Sequence, residues 1–318
     1  MSRNSQQQDH PRFTIIIPTR NAAPWLDRLL AMLARQSLAA SEILIIDSSS
    51  TDATPEIAQR HGTRLVRIPA AEFDHGTTRS MAAEMAHSDL LLYMTQDAIP
   101  ADEWAVERLI RGLIADERIG AAYGRQLPAA DATVFGAHLR LFNYPDRSAV
   151  RCWKDRKRYG FRTIFISNSF AAYRKEILAA HGYFPDRQLF GEDTCTVAKF
   201  LQNGYCVAYV ADACVYHSHN YTVGQDFRRY FDIGVFHACH QDLLDTFGSP
   251  GGAGRKYVRS EIALVLARKK WHLLPECILR NLGKWVAYNL GRRFRRLPRR
   301  LAVLLSMHRA WWHKGKPE

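Results

Sequence analysis

Three short polar stretches carry residues able to bind and activate a ligand: Thr19-Arg20-Asn21, Asp47, and Thr95-Gln96-Asp97. Each follows an apolar run of the kind that forms a buried parallel strand. In open α/β sheets ligands bind beyond the carboxyl ends of such strands, so the three stretches belong on one rim. Aspartate there offers hard oxygen ligands to a divalent cation, and arginine offers a planar fork to phosphate. Asp97 has the first type, and Arg79, in His75-Gly76-Thr77-Thr78-Arg79, the second. A lone aspartate after a strand serves equally well as a helix cap, and a lone arginine as a solvated helix residue. Dinucleotide chemistry is excluded. No G-x-G-x-x-G follows the first apolar run, and G-x-x-x-x-G-K-[ST] occurs nowhere.

The elements that must position these residues alternate along the chain. Phe13–Ile17, Glu42–Ile46, Arg64–Ile68 and Leu90–Met94 read as strands. The helical spacing falls between and after them, at Ala23–Arg35, Pro55–His61, Thr77–Ala86 and Asp102–Ala115. Four such units predict an α/β fold with an open, mostly parallel sheet. Further on, Ile119–Leu127 and Thr163–Tyr173 are strand-like, as are Tyr205–Val210 and Cys214–His217. Thr194–Gln202 is helical, and a long amphipathic helix begins near Val223. His217 and His219 sit at a strand end, where alternation sends both rings the same way. His237, Cys239, His240 and Asp242 resemble a ligand set, but on a helix Cys239 leaves the face that His237 and His240 share, so they read as structural.

Charge divides the chain in two. Its 318 residues hold 44 Lys+Arg against 31 Asp+Glu, yet residues 251–318 alone hold 17 basic and 3 acidic side chains. A uniformly basic nucleic-acid coat is thereby excluded, and no nucleic-acid partner is expected. A glycine-rich break over 248–254 separates the two parts. The expected organisation is a disordered start over 1–12, an α/β domain over 13–247, and a basic amphipathic helical extension over 255–318. The six cysteines show no C-x-x-C pair and read as thiols of a reducing compartment. The polar start lacks the apolar region of a signal peptide, and no run approaches the roughly 20 residues needed to span a bilayer. A cytoplasmic location is expected.

The motifs IIIPTRN, IIDSSSTD, FDHGTTRS, YMTQDAIP and FGEDT, taken together and in this order, resemble the inverting family-2 glycosyltransferases of the GT-A fold. The third and fourth are most similar to the bacterial rhamnosyltransferase branch, which uses dTDP-L-rhamnose to build cell-surface polysaccharide. The resemblance spans roughly residues 13–220. It implies that Pro18, Thr19 and Arg20 line a nucleotide pocket, with Asp47 at the base. It places Asp74, His75, Arg79 and Gln96 along the nucleotide-sugar. It makes Asp97 the ligand of a divalent cation, Mg²⁺ or Mn²⁺, with His217 as a further metal or phosphate contact. Asp193, in Glu192-Asp193, becomes the general base. Many relatives carry two or three acidic residues where this chain has Gln96-Asp97-Ala98.

The implied partners are a nucleotide-sugar donor and a lipid-linked or glycan acceptor. A UDP-hexose donor, a non-catalytic glycan or nucleotide-sugar binder, and an RNA-binding module are the rival readings. Trp and Leu interleaved with Arg and Lys in the tail suit an anionic membrane surface, or a helical subdomain with snorkelling arginines. The first is expected here, on the inner face of the cell membrane.

Overall fold

The computed structural model describes residues 11–249 and 251–313. Of the segment expected to be disordered, residues 1–10 lie outside the described residues. The first half of the chain runs β1 (Phe13–Thr19), α1 (Ala23–Leu33), β2 (Glu42–Asp47), α2 (Thr54–Arg60), β3 (Arg64–Arg67), α3 (His75–Met85), β4 (Leu90–Met94), β5 (Ile99–Pro100), α4 (Ala105–Ile114) and β6 (Ile119–Leu127). It continues with α5 (Val134–Asn143), β7 (Ala149–Cys152), α6 (Arg156–Tyr159), β8 (Phe170–Arg174), α7 (Lys175–Ala180), α8 (Glu192–Gln202), β9 (Cys206–Tyr216) and α9 (Val223–Cys239). The tail adds α10 (Gln241–Phe247), α11 (Gly251–Ala267), α12 (Leu274–Arg292) and α13 (Arg299–Leu305).

One nine-stranded sheet organises the molecule, in the order β3-β2-β1-β4-β8-β6-β9-β5, with β7 added on β9. Strands β3, β2, β1 and β4 are parallel, and β8 enters antiparallel between β4 and β6. Alternation along β1 explains the layering. Ile15 and Ile17 point into a core with Leu26, Leu29 and Leu30 of α1 and Leu109 of α4. Ile16 points the other way, against Ala82 and Ala83 of α3 and Phe200 of α8. Chain order reverses between β1 and β4, so a crevice opens at the carboxyl ends of these strands, where Thr19, Asp47 and Asp97 lie.

Four expectations change. The stretch Thr163–Tyr173 is a strand only from Phe170; Gly160–Ile164 forms a 3₁₀ turn. The two strands expected after Tyr205 are one, β9, whose register against β6 slips between Gly124 and Arg125. Residues 251–254 open α11 instead of forming a linker, so the helical region starts ahead of 255. Cys152 and Cys206 are not thiols but a disulfide, because the β7–β9 register sets them opposite with Cα atoms 4.3 Å apart.

The tail packs against the α/β body. α12 crosses α9 at Gly234 and Gly291, where an added Cβ would meet Tyr288 O at 2.3 Å and Phe231 O at 2.1 Å. Only glycine lets the two backbones approach so closely. The faces of α12 are inverted. Arg280 and Lys284 are each only 6% exposed, and face Asp226 of α9 and Glu261 of α11. Ile278, Leu279, Leu282 and Trp285 on the opposite side are 56–65% exposed. Among the described residues, no helix is long and apolar enough to cross a membrane.

Candidate functional site

The carboxyl end of β1 is tied to both its neighbours. Thr19 donates to Asp47 Oδ1 at 3.1 Å, and Asp47 in turn accepts from the Ser50 amide at 3.0 Å. Asp47 is fully buried, and Arg67 stands 3.7 Å from its other oxygen. On the β4 side, Gln96 accepts from the Arg20 amide at 2.9 Å and donates to the Arg20 carbonyl at 3.2 Å. Pro18 is half-buried within β1, in register with Ile46. The Arg20 side chain remains exposed. This rim therefore presents a rigid floor with the exposed Arg20 at its edge.

Beyond Gln96, Asp97 meets two histidines from the end of β9. His217 Nε2 lies 3.4 Å from Asp97 Oδ1, and His219 Nδ1 lies 3.9 Å from Oδ2. One ligand atom of each residue falls within 4.8 Å of the others. The surrounding bonds place a proton on His217 Nδ1. Arg140, which can only donate, binds Gln126 Oε1, so that oxygen is correctly placed. His217 Nδ1 approaches the same oxygen at 3.0 Å and must carry a proton. Nε2 then faces the Asp97 carboxylate, to which it donates when the ring is protonated and beside which its lone pair is open to a shared cation when it is not. This is the shell that orients a metal-bound imidazole, and the three residues fit a divalent cation. Burial, then the neighbouring His217, push His219 down to about 4, which leaves it neutral at pH 7. Burial alone would raise the Asp97 carboxyl, but the two histidines hold it well below the ordinary range.

Asp193 stands at the first turn of α8, after Gly191 in the left-handed region at φ +80°. Its Oδ2 accepts from the Asn168 amide at 3.1 Å and its Oδ1 from the Thr194 amide at 2.7 Å. Burial first, and the adjoining Glu192 charge second, push its carboxyl up to about 7. Glu192 points inward. Burial would raise its pKa too, but Arg79 at 3.0 Å and His75 keep it ionised. The two adjacent carboxylates are thus driven apart, the pattern of a base poised near neutral pH.

Arg79 departs most from its expected place. Its guanidinium is buried against Glu192 and also donates to the His75 carbonyl at 3.1 Å. His75 lies against Arg79 within that network. Asp74 caps α3, accepting from the Gly76 and Thr77 amides at 3.0 Å each. FDHGTTRS is therefore a support for Glu192-Asp193, built around a capped helix.

Sequence reasoning passed over the segment that joins the two centres. Ser167 accepts from Gln126 Nε2 at 3.0 Å, the Asn168 amide holds Asp193, and the Ser169 carbonyl accepts from the Thr95 amide at 3.4 Å. Three consecutive residues thus bind the Gln126 beside His217, Asp193 and the β4 loop. Within TIFISNSFAAY their polarity was the available signal. His219 joins Asp97 and His217 in the group that could hold a cation, as strand alternation implies by setting its ring on the same side as that of His217.

The comparisons agree with this geometry. Residues 14–182 match the family described as Glycosyl transferase family 2. The O-antigen chain rhamnosyltransferase WbaN of Salmonella anatum is 40% identical over 306 residues, covering 95% of this chain and 96% of its own. Its counterpart RfbN of Salmonella typhimurium is 38% identical over 304 residues, with the same coverage. Among solved structures, the mannosyltransferase PcManGT from Pyrobaculum calidifontis, in complex with GDP-Man and Mn²⁺, has a TM-score of 0.60 at 20% identity, covering 97% of this chain and 89% of that one. Staphylococcus aureus TarS 1–349 in complex with UDP has a TM-score of 0.53 at 16% identity, covering 90% and 91%. These two show a shared GT-A-like fold. The sequence matches carry the assignment: the chain belongs to glycosyltransferase family 2 and is a sugar-transferring enzyme.

Proposed function

We propose that this enzyme transfers L-rhamnose from dTDP-L-rhamnose to a lipid-linked glycan acceptor during surface-polysaccharide synthesis. Near-full-length similarity to two proteins named as O-antigen chain rhamnosyltransferases carries this reading. The Thr19–Asp47 and Arg20–Gln96 rim supports a nucleotide pocket. Asp97, His217 and His219 would hold a divalent cation, and two imidazoles favour Mn²⁺ over Mg²⁺, which prefers an all-oxygen shell. The bound cation would supply positive charge to the departing diphosphate.

The chemistry left to the protein is proton removal. Asp193 takes the proton of the acceptor hydroxyl while that oxygen bonds to the anomeric carbon. The bond to the diphosphate breaks on the opposite face, and its electron pair leaves with the diphosphate. One such displacement inverts the anomeric centre. The amides of Asn168 and Thr194 fix the carboxylate, and burial, with the Glu192 charge beside it, keeps its pKa high enough to accept a proton at neutral pH. Thermal shift tests the donor. Stability should rise with dTDP-L-rhamnose plus Mn²⁺, less with Mg²⁺, and far less after His219→Ala. An equal response to UDP-hexoses would overturn the donor assignment, and no response to any nucleotide sugar would overturn the function.

The inverted α12 supports work at an anionic membrane surface on the cell's inner face. Its outward Ile278, Leu279, Leu282 and Trp285 lie in the part of the chain that holds 17 of the 44 basic residues. Apolar side chains at the acyl boundary and cations on headgroups are the pattern of an interfacial helix. Replacing Leu279, Leu282 and Trp285 together by Ser should abolish flotation with phosphatidylglycerol vesicles and leave transfer to a soluble acceptor intact. Undiminished flotation would refute the surface.

A further inference from the structure

The segment Ser306–Trp312 reaches back to the loop ahead of Asp193. Residues 186–191 run directly into Glu192-Asp193, and the backbone there is held in unusual conformations. Arg187 sits in the left-handed region at φ +53°, and Gly191 at +80°. A non-glycine residue keeps such a conformation only where its surroundings over-determine it. Those surroundings come from α9, through Phe236 and His240, and from the segment Ser306–Trp312. Trp311 Nε1 donates to the Arg187 carbonyl at 2.7 Å. The His308 ring lies 6.3 Å from that of Phe190 and 6.2 Å from that of His75, the partner of Arg79. Phe190 stacks on Phe236 of α9 at 5.1 Å.

The same segment is anchored on its other side. Asp232 of α9 accepts from the Met307 amide at 2.9 Å and the His308 amide at 3.2 Å. Trp312 is buried against Phe231 and Phe294, and its carbonyl accepts from Arg299. Two fixed ends and one hydrogen bond to a strained carbonyl make a brace, not a loose tail.

We propose that Ser306–Trp312 is a clasp that fixes the loop aiming Asp193 and closes the base off from water, with Trp311 a positioning residue for sugar transfer. This rests on Asp193 being the base. The clasp leaves the nucleotide rim untouched, because none of its contacts reaches Thr19, Asp47, Gln96 or Asp97. Losing it therefore separates turnover from donor binding. It also admits water, which competes with the acceptor hydroxyl for the donor.

The test is Trp311→Phe, which keeps an aromatic ring and removes the N–H, with His308→Ala as a second variant. Each should lower kcat about 10- to 100-fold. The donor KM and the melting temperature should stay near those of the wild type, and donor hydrolysis per transfer should rise. Unchanged kcat and an unchanged hydrolysis-to-transfer ratio would overturn the clasp, and so would a lower melting temperature with full turnover. Wild-type protein without any transfer would contradict the enzymatic reading itself, whereas wild-type transfer retained by both variants contradicts the clasp alone.

Discussion

Replacing Asp193 by Asn is expected to lower kcat by about 10²- to 10⁴-fold, the usual contribution of a positioned general base. Donor affinity should survive, since the carboxylate is held by Asn168 and Thr194 and not by the Thr19–Asp47 rim. The pH profile supplies an independent check. Asp193 must be ionised to take a proton, and burial with the Glu192 charge pushes it up to about 7. In the wild type kcat/KM should therefore fall as pH drops through about 7, not through the ordinary carboxylate range near 4. Glu192→Gln removes the neighbouring charge, so the acid limb should move to lower pH. Stopped assays across pH 4–9 read both effects. An unmoved limb would mean that Glu192 does not set the base.

Arg79→Met is expected to cost about 3–5 kcal/mol of stability, because it leaves Glu192 buried without its counter-charge. For a chain of this size the melting temperature should drop by roughly 4–8 °C. The pair is buried on both sides, with Arg79 and Glu192 each about 5% exposed, so solvent does not screen it. The double variant Arg79→Met with Glu192→Gln should regain much of the loss, since no lone charge then remains. Differential scanning calorimetry on the three proteins measures the coupling. A phosphate-binding Arg79, as the sequence resemblance implied, would behave oppositely, with normal melting and weakened nucleotide binding.

These two residues also mark where sequence reading stopped. Glu192-Asp193 was legible because it opens a helix within an ordered series of motifs. The partner of Arg79 lies 113 positions away, and nothing local in HGTTRS points to it. The first four β-α units were legible for the same local reason: Phe13–Ile17 and Leu90–Met94 are continuous apolar runs bounded by polar rims. Pairings set by sheet register were not. Cys152 and Cys206 are 54 residues apart and meet only because β7 lies antiparallel on β9. The tail was legible only in composition. Its interleaved Trp, Leu, Arg and Lys suited a membrane surface or a packed subdomain, and the structure divides them: Arg280 and Lys284 turn inward to Asp226 and Glu261, and Leu and Trp turn out. Composition cannot tell which face of a helix meets its neighbour.

The account as a whole rests on one reaction. Purified enzyme, Mn²⁺, dTDP-L-rhamnose and a short lipid-linked glycan acceptor should yield dTDP and a new rhamnosyl linkage, followed by proton NMR. The new linkage should carry the anomeric configuration opposite to that of the donor. A retained configuration, or transfer from a UDP-hexose and not from dTDP-L-rhamnose, would contradict it.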